Sequence, residues 1–159
     1  MSEPNMLIVV LTFFAALGSG LVAGLFFAFS VSVMTALDRL PPREGMAAMQ
    51  YINVAILNPW FFAVFFGTAL ACIALAVFSL SDWSGPGAAY LLAGGALYLV
   101  GSILVTMAFN VPLNNALAAA KPDEGAQLWN RYLSTWTAWN HVRTAASLLA
   151  SASFIMALY

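Results

Sequence analysis

The sequence predicts an all-α integral membrane protein: an antiparallel four-helix bundle with short interfacial helices in its two cytoplasmic loops. The composition is the first observation behind this prediction. Of the 159 residues, 63% are hydrophobic and only 7% are charged, whereas a soluble domain carries roughly 25% charged residues. A surface that faces lipid explains so little charge, so we expect one membrane domain over residues 1–159 with no room for a second.

Four apolar segments are the second observation, since a membrane helix needs about 20 predominantly apolar residues. The predicted spans cover about 6–37, 59–80, 88–109 and 136–159. The first span is longer than a bilayer requires, so it should tilt or project. One short helix is expected over 46–57, and another is expected to begin near Asp123 and run into the fourth span.

The ends of two spans carry recognisable signals. Asn58 precedes Pro59 at the start of the second span, which is typical of an N-cap followed by proline at the first helical position. At the end of the third span, Pro112 is expected to block a regular helix between Asn110 and Asn114. Irregular backbone at membrane depth would then need a cavity or a buried partner.

The positive charges predict the orientation of the spans. All five lie in the two longer loops or at the start of the fourth span: Arg39, Arg43, Lys121, Arg131 and Arg143. The positive-inside rule therefore places these loops in the cytoplasm and both termini outside, with a bacterial-type inner membrane as the expected location.

Small residues predict close helix packing. On the first span they recur every four residues: Ala16, Gly20, Gly24, Ala28, Ser32 and Ala36. Such stripes let helix backbones approach closely in lipid. They serve packing within one chain or between chains equally well, so a homo-oligomer is one of the open alternatives.

With this topology, polar residues from three spans converge at the cytoplasmic end. They are Asn58, Asn110, Asn114, Asn140, His141 and Arg143. Ionisable groups within a span are by default a functional-site hypothesis. The structural alternatives are helix caps, interhelical hydrogen bonds and an arginine that snorkels to headgroups. Trp136 and Trp139 at the same end can equally be interfacial anchors.

Several functional classes lack support in the sequence. The net charge is −1 and no basic run is present, so no nucleic-acid partner is expected. Cys72 is the single cysteine and predicts a buried, inert thiol. One histidine without a carboxylate inside any span gives no metal-ligand set, so no metal or cofactor is expected. The same lack of acidic relay residues argues against a channel or pump.

Four stretches of the sequence carry a family resemblance. They read GLFFAFSVSVMTAL (24–37), MQYINVAILNPWF (49–61), FNVPLNNALA (109–118) and WTAWNHVRTAAS (136–147). Their order and spacing resemble the anthrone oxygenase-like (DUF1772) family of small four-span membrane proteins over nearly the whole chain. Thr35 stands where the family pattern often has proline, which puts the local kink of the first span in doubt.

The resemblance implies an oxidoreductase function, because fungal members oxidise anthrones to anthraquinones. The motif residues carried over by position are Asn110, Pro112, Asn114, Trp136, Trp139, Asn140, His141 and Arg143. The implied reaction is a cofactor-independent oxidation, by O2, of a flat apolar phenolic or anthrone-type substrate. The implied partners are the lipid bilayer and this apolar aromatic molecule.

Roles follow if the resemblance extends to activity. His141 has the side chain suited to act as a base near neutral pH. Arg143, with Asn110 or Asn140, would stabilise an enolate oxygen in a low-dielectric site. The expected substrate-binding residues are Asn58, Asn110, Asn114, Trp136, Trp139 and Phe109. We expect His141 and Arg143 to face inward together.

A non-enzymatic function is the alternative. The protein would bind a lipid or another hydrophobic ligand, or act as a partner subunit, and its polar residues would be a structural hydrogen-bond knot. A knot predicts that Arg143→Ala destabilises the fold, whereas a catalytic site predicts a cavity beside His141.

Overall fold

The computed structural model describes residues 5–83, 85, 87–120 and 125–159, and within them it is helical without a strand. We number the helices in chain order: α1 Met6–Asp38, α2 Pro42–Ala55, α3 Pro59–Ser81, α4 Ala88–Ala119 and α5 Gly125–Ala157. The all-α prediction is confirmed. The expected helix start near Asp123 and the charge of Lys121 lie outside the described residues.

In the described part of the chain, three helices are long and apolar enough to cross a membrane: α1, α3 and α4. These helices are consistent with an integral membrane protein in contact with lipid. The fourth predicted span belongs to α5, where Asn140, His141 and Arg143 interrupt the apolar run. The four-span bundle, its interfacial helices and its orientation therefore stay predictions.

The four long helices pack in a closed ring of contacts. α1 packs against α3 and α5, and α4 packs against the same two helices. Phe26, Phe65, Leu75, Tyr98 and Phe154 are the largest side chains of the core between them. Because lipid supplies no hydrophobic drive between helices, this dense packing is what holds them together.

α2 covers one end of this arrangement. A second core lies beneath it, formed mainly by Met46, Met49, Leu117, Trp129 and Tyr132. The Gln50 side chain donates from Nε2 to the Leu117 carbonyl at 2.8 Å, which satisfies a backbone acceptor near the end of α4. Trp129 is 1% exposed, so it belongs to this second core.

Three segments of α1 and α4 widen into π-helix: Phe29–Val33, Leu99–Leu104 and Thr106–Asn110. The last of them ends two residues before Pro112. A proline ring in a regular helix clashes with the carbonyl four residues earlier, and the wider turn upstream accommodates it. The expected helix break at Pro112 is therefore wrong, and the helix that holds the third predicted span continues to Ala119 instead of ending at residue 109.

Candidate functional site

A buried polar cluster joins α1, α4 and α5. We define it by five residues: Ser30, Thr106, Asn110, Asn140 and Arg143. Asn110, Asn140 and Arg143 are at most 5% exposed. Three members lie in π-helical segments: Ser30 on α1, and Thr106 and Asn110 on α4. Such segments occur frequently at functional sites, and here each turns a polar side chain towards α5.

Arg143 is the centre of this cluster. Its Nη1 donates to Thr106 Oγ1 at 3.1 Å, and its Nη2 donates to Asn140 Oδ1. The guanidinium carbon lies 4.1 Å from the centroid of the Phe26 ring and 5.3 Å from that of Trp136. The contacts that hold this buried cation are thus neutral oxygens and ring faces, which favour a guanidinium through cation–π attraction.

The asparagines of the cluster tie α5 to its neighbours. Asn140 Nδ2 donates to Ser30 Oγ at 2.7 Å and to the Phe26 carbonyl at 2.6 Å on α1. Asn110 Nδ2 on α4 donates to the Trp136 carbonyl at 3.2 Å. Two buried atoms in the described part of the chain lack a partner, Asn110 Oδ1 and Arg143 Nε. Most of the hydrogen-bonding capacity in the cluster therefore serves contacts between helices.

A second set of polar contacts lies one turn away. Asn114 Oδ1 accepts hydrogen bonds from Tyr132 Oη and Trp136 Nε1, both at 2.8 Å. Tyr132 is the donor in its contact, because the amide oxygen of Asn114 can only accept. Tyr132 was not among the predicted site residues, although its position one helical turn before Trp136 places it on the same face.

His141 lies outside the cluster. It is exposed and lines a groove of about 520 Å³ between the C-terminal part of α1 and the first half of α5. We call this the His141 groove; its polar lining residues are Ser30, Thr35, Asp38, Asn130, Ser134, Thr137 and His141. Arg143 is absent from the lining. We expected His141 and Arg143 to face inward together. Arg143 does face inward, and His141 does not.

Ser30 connects the groove with the cluster. Its side chain lines the His141 groove and also accepts the hydrogen bond from Asn140 Nδ2. Since Oγ acts as the acceptor in that bond, the Ser30 hydroxyl hydrogen can point into the groove. Ser30 and Asp38 were not among the predicted site residues, although they lie eight residues apart and so on similar faces of α1.

The other expected site residues lie elsewhere. Asn58 caps α3, since its Oδ1 accepts from the backbone N–H groups of Trp60 and Phe61 at 3.1 Å each. Phe109 and Trp139 stack on each other, with ring centroids 3.6 Å apart and planes 7° from parallel. Neither ring lines the His141 groove.

A second, apolar groove of about 760 Å³ lies between α1 and α3. Its wall on α1 includes Leu11, Phe14 and Leu17, and its α3 side includes Ala63 and Gly67. We call it the apolar groove. Among the described residues, no three histidine, cysteine, aspartate or glutamate side chains lie close enough to hold a metal ion.

Comparison with known families gives one match. The family model described as anthrone oxygenase matches residues 60–153, which is more than half of the chain. The matched part includes all of α4 and most of α5, and with them four of the five cluster residues and His141. No curated protein and no solved structure matches the chain.

Proposed function

The chain belongs to the anthrone oxygenase family, and from this premise we propose that it oxidises a flat, apolar phenolic or anthrone-type substrate with O2. The reaction we propose requires no cofactor. Its site is the His141 groove, and the buried polar cluster shapes one wall of that groove.

We further propose that α1, α3, α4 and α5 cross an inner membrane as an antiparallel four-helix bundle, with both termini outside. The ring of contacts among these four helices supports this arrangement. Arg39, Arg43 and Arg131 all lie near the end that α2 covers, which the positive-inside rule assigns to the cytoplasm. α2 would then lie at the membrane interface.

The observation that carries the enzymatic proposal is the groove beside His141. A base must reach the proton that it removes, and His141 is the exposed imidazole on the lining of a groove large enough for a ring system. Met34 and Leu133 supply apolar surface within the same groove. A flat ring can therefore lie between α1 and α5 with its reacting carbon near the imidazole.

The chemistry requires a base and a stabilised oxygen. The His141 imidazole removes a proton from the carbon opposite the ketone, and the Ser30 hydroxyl donates to the enolate oxygen that forms. The enolate passes one electron to O2, and the two radicals combine into a peroxide anion, which takes a proton from the imidazolium to give a hydroperoxide. The neutral imidazole then removes the second proton from that carbon, the O–O bond breaks as the new carbonyl forms, and the hydroxide that leaves takes this proton to give water. One substrate and one O2 thus give one quinone and one water.

Asn140 and Arg143 act in this scheme as positioning residues. Asn140 holds Ser30 Oγ at 2.7 Å, and Arg143 holds the Asn140 carbonyl oxygen. Their effect on the substrate is exerted through Ser30. Asn110, Asn114, Trp136, Trp139, Phe109 and Asn58 support the helices that form the site and are not proposed to touch the substrate.

The apolar groove supports the alternative function, binding of a lipid or another hydrophobic ligand. It is larger than the His141 groove and almost free of polar lining, and an acyl chain can occupy such a surface within a bilayer. A ligand-binding protein of this kind would show no catalysis.

Oxygen consumption separates the two functions. The protein purified in detergent should consume one O2 per anthrone, and ¹⁸O2 should place one labelled atom in the new carbonyl. Detergent micelles alone and heat-denatured protein measure the uncatalysed reaction. A rate equal to these controls, with an anthrone panel that includes hydroxylated members, would contradict the oxygenase proposal.

A further inference from the structure

The His141 groove has a deep end and an outer end. Ser30 and His141 lie at the deep end. The Ser30–Asn140 hydrogen bond places Ser30 of α1 and the neighbouring His141 of α5 at the same height along the helix axes. Asp38 lines the groove eight residues after Ser30, at the last residue of α1. At about 1.5 Å per residue, the two positions are separated by about 12 Å along the helix axis.

The two ends differ in hydrogen-bonding character. At the outer end, Thr35 Oγ1 donates to the Val31 carbonyl at 3.3 Å, and Ser134 Oγ donates to the Arg131 carbonyl at 3.1 Å. A hydroxyl that has donated its hydrogen offers only an acceptor to a ligand. The Asp38 carboxylate also only accepts. Asp38, Thr35 and Ser134 therefore offer acceptors at the outer end, beside the Asn130 amide, which can both donate and accept. Ser30 offers a donor at the deep end.

The position of Asp38 is unfavourable for the helix itself. The C-terminus of a helix carries partial negative charge, so a carboxylate in the last turn is disfavoured. Asp38 is the final residue of α1 and its side chain is exposed. Helix stability therefore does not explain an aspartate at this position. The location of Asp38 on the lining of the groove offers an explanation, which is contact with a ligand.

We propose that the outer end of the His141 groove, centred on Asp38 with Thr35 and Ser134, is a subsite for a hydrogen-bond donor on the substrate. The donor is a phenolic hydroxyl on the ring edge farthest from the carbon that reacts at His141. This subsite rests on the proposed function, and it deepens that function by fixing the direction in which the substrate lies. Asp38 is then a specificity-determining residue.

Two substrates of one ring skeleton test the subsite. The compounds are unsubstituted anthrone and an anthrone with hydroxyl groups on both outer rings; each is measured for binding by calorimetry and for oxygen uptake. Asp38→Asn and Asp38→Ala should weaken binding of the hydroxylated compound by about tenfold or more, the loss typical of a hydrogen bond to a charged group. Binding of unsubstituted anthrone should be unchanged.

Asp82→Asn is the matched control, because it makes the same change of charge at the end of α3 and away from the groove. It should preserve the preference for the hydroxylated compound. The unfolding temperature of Asp38→Asn should equal or exceed that of the natural protein, since the carboxylate opposes the helix dipole.

Binding and turnover separate the two proposals. If hydroxyl-dependent binding is lost in the Asp38 variants while no anthrone drives oxygen uptake, the subsite stands and the oxygenase proposal fails. If oxygen uptake proceeds but the preference between the two compounds is the same in Asp38→Asn as in the natural protein, the subsite is overturned. Absence of binding for both compounds overturns the subsite and the oxygenase proposal together.

Discussion

At the scale of single residues, Arg143 joins three helices through one side chain. Replacement by alanine removes the donors to Thr106 and Asn140 and the cation above the Phe26 ring. Because the Asn140 oxygen that it leaves is fully buried and the Thr106 oxygen is partly buried, we expect Arg143→Ala to lower the free energy of unfolding by about 2 kcal/mol or more. Thermal unfolding in detergent measures this change.

Arg131→Ala is the matched control, since Arg131 is an exposed arginine on the same helix. An exposed substitution should stay within about 0.5 kcal/mol of the natural protein. Equal unfolding temperatures for Arg143→Ala and Arg131→Ala would show that the cluster does not stabilise the fold.

The directions of Asn140 and His141 show how far the sequence could predict the site. Helical geometry separates Asn140 and His141 by about 100°, so the two side chains do not point in the same direction. Which of them is buried depends on the partners, and the partners lie far along the chain: Ser30 and Phe26 on α1. Ser30 stands within an apolar run that gives no sign of this contact.

At the scale of helices, two glycines have opposite surroundings. A Cβ built at Gly101 of α4 would lie 2.3 Å from the Cβ of Ala146 on α5, whereas a Cβ at Gly67 of α3 would meet nothing within 4 Å. Gly101→Ala should therefore force α4 and α5 apart and cost about 1–3 kcal/mol. Gly67→Ala should be neutral or stabilising by up to about 1 kcal/mol, because alanine favours the helix.

Unfolding of the two variants in the same detergent makes the comparison direct. The two substitutions add the same methyl group, so a difference between them reports the contact of α4 with α5. A Gly101→Ala protein as stable as Gly67→Ala would mean that these helices do not pack as closely as the structure shows.

The helices and their bounds could be predicted in part from the sequence. The apolar runs gave α1, α3 and α4, and the Asn58–Pro59 pair gave the start of α3, because these signals are local in the sequence. The course of α4 through Pro112 was not predictable, since a π-helical turn upstream relieves the clash of the proline ring. π-helical turns have no local sequence signal comparable to an N-cap.

At the scale of the whole molecule, the orientation can be read from cysteine labelling. Cys72 is 0% exposed and supplies no background, so single cysteines at Glu44 and at Asp82 can be compared directly. In intact cells an impermeant maleimide should modify Asp82→Cys, whereas Glu44→Cys should react only after the membrane is disrupted. The reverse pattern would invert the proposed topology, and labelling of both in intact cells would contradict the crossing of α3.

The division of polar residues between a buried cluster and an open groove is the main property of the whole molecule. Arg143 and Asn140 join α1, α4 and α5, whereas His141 lies on the groove in which we propose that the substrate binds. Loss of His141 should therefore lower activity without a change in stability, whereas loss of Asn140 or Arg143 should lower both.

The central measurement for the proposed role of His141 is the oxygen uptake of purified His141→Ala with an anthrone substrate. Loss of a general base typically costs at least about 100-fold in rate. Because His141 is exposed, the unfolding temperature should not change. We expect a folded variant whose oxygen uptake falls to near the rate in detergent micelles alone. A folded His141→Ala protein that consumes oxygen at the rate of the natural protein would contradict the proposed role.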